Sequence, residues 1–155
     1  MKWSVRRFQN KDGTLTAEGR KRYRTASANI PKRNPDSSVV KAVEAGKISL
    51  KVNSGNQTKH IKGSHNFNSG RSYVLGTLKD CEVLISELYG TGEALISTKT
   101  GEFKNKERVT APKAFGVYVD EDTRQESLTR NGMIHYGKAG SHIVPARPER
   151  NKRSK

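Results

Sequence analysis

Cysteine is all but missing: Cys81 is the only one in 155 residues. That excludes a disulfide framework and any zinc knuckle built on thiolates. Aromatic residues are scarce at 6%, so the stacking platform of a typical single-strand binder is not visible. No window approaches the roughly 18 consecutive apolar residues that a membrane span needs. The charged start Met1-Lys2-Trp3-Ser4-Val5-Arg6-Arg7-Phe8 has no apolar stretch behind it, so no secretory signal is expected either. Neither a Gly-x-x-x-x-Gly-Lys-Ser/Thr phosphate loop nor a Gly-x-Ser-x-Gly nucleophile elbow occurs. Carboxylates are few. Asp120-Glu121-Asp122 is the one acidic run, and three acids in a row read as a solvated turn rather than a two-metal centre.

What is present is positive charge. Lys plus Arg is 30 against 15 Asp plus Glu, a net of +15, which points to a polyanionic partner. The excess sits at the ends. Residues 1–58 hold 13 basic and 4 acidic residues, 59–145 hold 12 and 10, and 146–155 hold 5 and 1. Apolar residues run the other way, with 21 Val, Ile, Leu, Met or Phe between Lys59 and Pro145 but only seven between Lys2 and Gly46. The sequence therefore divides into a basic N-terminal arm and linker over 1–36, a globular domain over 37–145, and a disordered basic tail over 146–155. Within the arm, Thr16–Arg24 is expected to form a short basic helix capped by Thr16 and weakened by Gly19.

The middle has clearer periodicity. Ser37–Ala45 reads as a short helix stopped by Gly46, and Lys47–Asn53 alternates like a strand. Leu78, Cys81, Leu84, Ile85 and Leu88 recur at helical spacing behind a Thr77/Asp80 capping pair, with Gly90 as terminator. Cys81 on that stripe is a buried structural thiol rather than a nucleophile. Strands are expected at Ala94–Ser97, Glu107–Ala111, Ala114–Val119, Leu128–Tyr136 and Ser141–Pro145. Helix followed by consecutive strands is an α+β pattern: a small antiparallel sheet with one main packed helix, N-terminal helical structure, and basic arms on either side.

Four histidines are present, His60, His65, His135 and His142. If Gly137-Lys138-Ala139-Gly140 forms a tight hairpin loop, His135 lies directly opposite His142 and Tyr136 opposite Ser141. Directly opposed residues share a face, with Cβ atoms about 4.5–5.5 Å apart. Two neighbouring imidazoles suit proton transfer at a bound phosphodiester. One takes the proton of a 2′-hydroxyl, another protonates the leaving 5′-oxygen, and a cation stabilises the phosphorane. Lys59 beside His60 is the candidate cation. Arg71, Tyr136 and Ser141 are candidate phosphate contacts. Two other readings stay open: a surface pair with no chemistry, and a zinc site completed by His60. His65 reads as a loop histidine. No cofactor is expected.

Four blocks carry a resemblance. They are Gln57-Thr58-Lys59-His60-Ile61-Lys62-Gly63-Ser64, Arg71-Ser72-Tyr73, Tyr89-Gly90-Thr91-Gly92, and Ile134-His135-Tyr136-Gly137-Lys138-Ala139-Gly140-Ser141-His142-Ile143-Val144-Pro145. In order and spacing they resemble the bacterial toxin 50 domain of polymorphic toxin systems over roughly Lys47 to Pro145. The resemblance implies a fold of the barnase–EndoU–colicin–RelE group and a metal-independent endoribonuclease toxin. It also implies RNA as substrate, an immunity protein as partner, and Lys59, His60, His135 and His142 as the catalytic positions. Arg71, Tyr136 and Ser141 would support them at the substrate. Ser141 stands where the family more usually has Thr, which keeps the hydroxyl. The block Phe8–Tyr23 is similar to a segment of structural proteins of tailed phages. That implies a phage or prophage origin, a capsid, head or portal partner, and a location in the virion or the bacterial cytoplasm. A non-enzymatic virion protein that binds nucleic acid through its basic arms is the alternative.

Overall fold

The structure, a computed structural model, describes residues 31–148. The expected helix at Thr16–Arg24 and most of the two basic arms lie outside the described residues. Among the described residues three helices precede or interrupt the strands. Helix α1 is Ser38–Glu44, capped by the Ser37 hydroxyl at the Val39 amide and closed by Gly46 at φ 73°. Glycine adopts that left-handed conformation without the Cβ clash other residues suffer. Helix α2, Ser54–Gln57, runs directly into a single 3-10 turn, Thr58–His60. Helix α3 is Leu78–Leu88 and begins with the expected capping box, Thr77 and Asp80 each satisfying the other's backbone amide.

The strands are β1 Tyr73–Val74, β2 Glu93–Ile96, β3 Phe103–Thr110, β4 Gly116–Val119, β5 Glu126–Thr129, β6 Asn131–His135 and β7 His142–Pro145. The α+β class holds, with all strand pairing antiparallel, but the strands divide between two sheets. One has the order β1-β4-β5 and the other β2-β3-β6-β7. The stretch expected as one strand over Leu128–Tyr136 is cut at Arg130. There the chain leaves the first sheet and enters the second, with the Thr129 hydroxyl accepting from the Asn131 amide. The alternating stretch Lys47–Asn53 forms no strand. It makes two isolated bridges to the β6–β7 hairpin tip, Ser49 to Gly137 and Val52 to Ser141.

The larger sheet has one buried and one open face. On the buried face Ile134 and Ile143 are directly opposed and fully buried, and the apolar stripe of α3 (Cys81, Leu84, Ile85, Leu88) belongs to the same cluster. Each such side chain contributes about 1.5–3 kcal/mol by leaving water. Cys81 is fully buried, and desolvation pushes its thiol well above its ordinary value, as a structural role requires. The segment assigned to the linker touches the end of α3. Arg33 donates to the carbonyls of Tyr89, Ser86 and Glu87 at the C-terminus of α3 and lies 3.9 Å over the Tyr89 ring. A cation there also complements the helix dipole. No described helix is long and apolar enough to cross a membrane.

Candidate active site

The open face of the larger sheet carries the histidines. In the β6–β7 register His135 pairs with His142, and Ile134 with Ile143 on the other face. The two imidazoles stack with centroids 4.7 Å apart and planes 8° from parallel. A third ring joins them. His60 lies 6.2 Å from His142 at an interplanar angle of 9°, so the three near-parallel rings form one row through their contacts with His142.

His60 is brought there by Gln57. Its side chain is fully buried and behaves like a further strand added to β7, with Nε2 donating to the Ile143 carbonyl at 2.9 Å and Oε1 accepting from the Ile143 amide at 2.8 Å. This pins α2 to the sheet edge beside His142, and the following 3-10 turn delivers His60. Nδ1 of His60 then meets the Ser72 carbonyl at 3.0 Å. A carbonyl only accepts, so Nδ1 carries the hydrogen and Nε2 of the neutral ring is left as an acceptor.

All three imidazoles are half-buried, and all three are held below their ordinary pKa. Desolvation is the main cause each time. At His60 the Ser72 carbonyl opposes it, while the Arg71 and Lys59 charges add to it. At His135 the charge of Lys106 adds, followed by His60. At His142 the charges of His135, His60 and Lys59 add to desolvation, and its value falls furthest, to about 4. The row is therefore neutral at pH 7, a state in which rings can stack without repulsion.

Cations stand at both ends. Lys59 and Arg71 are exposed near His60. Lys106 lies directly opposite His135 in the β3–β6 register, on the same open face. Lys106 was not among the residues singled out from the sequence, and only strand register identifies it.

Tyr136 and Ser141 are not brought to the open side. The two-residue alternation that turns His135 outward turns Tyr136 inward, where it is buried and donates to Glu107 at 2.6 Å. Ser141 is fully buried and donates to the Ser49 carbonyl at 2.6 Å, fixing the hairpin tip to the preceding segment. Both build the scaffold beneath the histidines. Glu107 was missed as well: a fully buried carboxylate that accepts from the amides of Gly90 and Gly92 as well as from Tyr136.

His65 is exposed in the loop after the 3-10 turn. Asp120 caps the acidic turn, accepting from the amides of Asp122 and Thr123, as a solvated turn does. Among the described residues no group of three His, Cys, Asp or Glu side chains is placed to hold a metal ion.

Residues 52–145, about three fifths of the chain, match the family described as bacterial toxin 50. A search of curated proteins gives no match.

Proposed function

The chain belongs to the bacterial toxin 50 family, and we propose that this toxin domain is a metal-independent endoribonuclease that cleaves RNA by attack of the 2′-hydroxyl on the adjacent phosphate. The observation that carries the reading is the row of three near-parallel imidazoles, His60, His142 and His135, with Lys106 opposite His135 on the open face of the sheet and Lys59 next to His60.

Nε2 of His60 is the general base. Its tautomer is fixed by the Ser72 carbonyl, and its lone pair is free to take the 2′-hydroxyl proton. The stacked pair His135–His142 supplies the acid. The anionic phosphate of bound RNA raises the proton affinity of the pair, so that one of the two rings takes up a proton from water on binding and passes it to the departing 5′-oxygen as the P–O bond breaks. Lys59 stabilises the added negative charge, and Arg71 holds a phosphate through its planar fork. The products are a 2′,3′-cyclic phosphate and a 5′-hydroxyl. The basic ends of the chain supply sequence-independent affinity for the polyanion. In this reading the domain acts as an effector of a phage or prophage, with an immunity protein as its counterpart.

The test is the chemistry of the ends. Total RNA incubated with the full chain in EDTA should yield cyclic phosphates, and duplex DNA should stay intact. Products bearing 5′-phosphates, or cutting confined to DNA, contradict the proposal.

A further inference from the structure

The open face of the larger sheet continues past the histidines, and its next rows form a groove. Strand register fixes the rows. His142, His135 and Lys106 are aligned in the first, Met133 and Arg108 in the second, and Asn131 and Thr110 in the third. Opposed residues share a face, so all of these side chains stand on the histidine side. Over the second and third rows lies an open cavity of about 540 Å³, walled by Glu93, Arg108, Thr110, Asn131, Met133 and Arg147. It is within the size range of small-ligand sites, about 300–1,000 Å³.

The geometry assigns this groove as the subsite for the nucleotide next to the scissile phosphate, with its base over Met133 and its outer phosphate on Arg108. The assignment rests on the ribonuclease reading above and extends it. Three observations support it. The first is continuity: Met133 is two residues from His135 on the same face, about 6.8 Å along the strand, which is one step along an RNA backbone. The second is chemistry. Met133 is a half-buried, polarizable thioether suited to the face of a base, in a domain whose aromatic side chains largely serve the interior. The third is charge. Among the described residues the ion-pair partner of Arg108 is the exposed Glu93, at 3.6 Å with side chains 61% and 74% accessible, a pair that a phosphate readily displaces.

The rest of the wall is already committed. Asn131 accepts from Thr110 at 2.9 Å and donates to the Arg147 carbonyl at 3.1 Å, so both ends of its amide are used. Arg147 leans on Tyr118 and Asp120. A base in the groove thus meets a soft floor and few free polar groups, and the subsite fixes position with little base selection.

The experiment uses the full chain and a fluorogenic oligonucleotide with a single ribonucleotide, so that one phosphate is cleavable. Met133→Ala and Arg108→Ala should each raise KM by about tenfold with kcat within about twofold. The effect should vanish on a substrate truncated by the flanking nucleotide. Anisotropy with a non-cleavable 2′-deoxy analogue on the same variants reports the subsite without any turnover. Both positions lie outside the buried core, and melting curves matching wild type confirm folding. Cleavage by wild type with KM unchanged in both variants overturns the subsite and leaves the ribonuclease reading standing. Absence of wild-type cleavage overturns the ribonuclease reading, while the deoxy-analogue binding still judges the groove: affinity unchanged in both variants overturns the subsite too.

Discussion

His142 lies face to face with His135 at 4.7 Å and has a second near-parallel ring, His60, at 6.2 Å. Its pKa of about 4 against an ordinary 6.5 ties folding to pH. Because the folded-state value is depressed, the unfolded chain binds the proton first as pH falls. The stability is whole above pH 6.5, declines from there, and its loss is complete below about 4. Thermal melts between pH 7 and 4.5 should show a lowered Tm in wild type. The decline should be shallower in His142→Asn, which cannot be protonated in that window. Equal declines in the two proteins contradict this role.

The same row should take up a proton when a phosphate arrives. RNA binding measured by calorimetry in buffers of different ionisation enthalpy should show uptake near one proton per site at pH 7. The His142→Asn variant should show markedly less.

Gln57 and Ile143 are 86 residues apart, yet joined by two buried hydrogen bonds. Gln57→Leu leaves the Ile143 amide and carbonyl without their partner. The expected cost is about 2–4 kcal/mol, read as a lower urea midpoint. Cleavage at a temperature where the variant remains folded should fall more than its stability explains, because His60 loses its register with His142. A variant that cuts like wild type contradicts the positioning role.

Tyr136 and Glu107 test whether the interior of the hairpin is scaffold or substrate contact. Tyr136→Phe removes the hydroxyl that donates to Glu107 at 2.6 Å and should cost about 1–2 kcal/mol. Glu107→Gln turns an amide donor toward a backbone amide and should cost about 2–4 kcal/mol. The double variant should lose less than the sum, since the two groups touch. Tyr136→Phe should keep near wild-type KM, and a large rise in KM would put the hydroxyl at the substrate.

On the proposed reading, Lys59, Arg71 and Lys106 contact phosphate beside the row. Each change to Ala should weaken RNA binding and lower the dependence of log affinity on log salt by about 0.7. An unchanged salt slope in Lys106→Ala removes that residue from the interface.

Much of this arrangement is legible in the order of residues. The His135–His142 pair follows from hairpin closure and strand alternation, although the connection is the six residues 136–141 rather than the expected four and Tyr136 does not pair with Ser141. Helix α3 follows from its apolar spacing and capping pair. These are local relations, and local rules reach them. The approach of His60 is not local: it depends on a glutamine amide acting as a strand edge, which no periodicity encodes. Glu107 is hidden for a related reason. In the charged run Phe103–Thr110 it looks like its solvated neighbours, and only Gly90, Gly92 and Tyr136 make its burial tolerable. Lys47–Asn53 misleads in the opposite direction. Its alternation buries Ile48, but its backbone bonds reach the hairpin tip at only two isolated bridges.

The most direct measurement is cleavage of total RNA in EDTA by wild type and by His60→Ala, His135→Ala and His142→Ala, with folding checked by circular dichroism. Wild type should cut, and each folded variant should be slower by about a hundredfold or more. Undiminished cutting by all three folded variants would contradict the account.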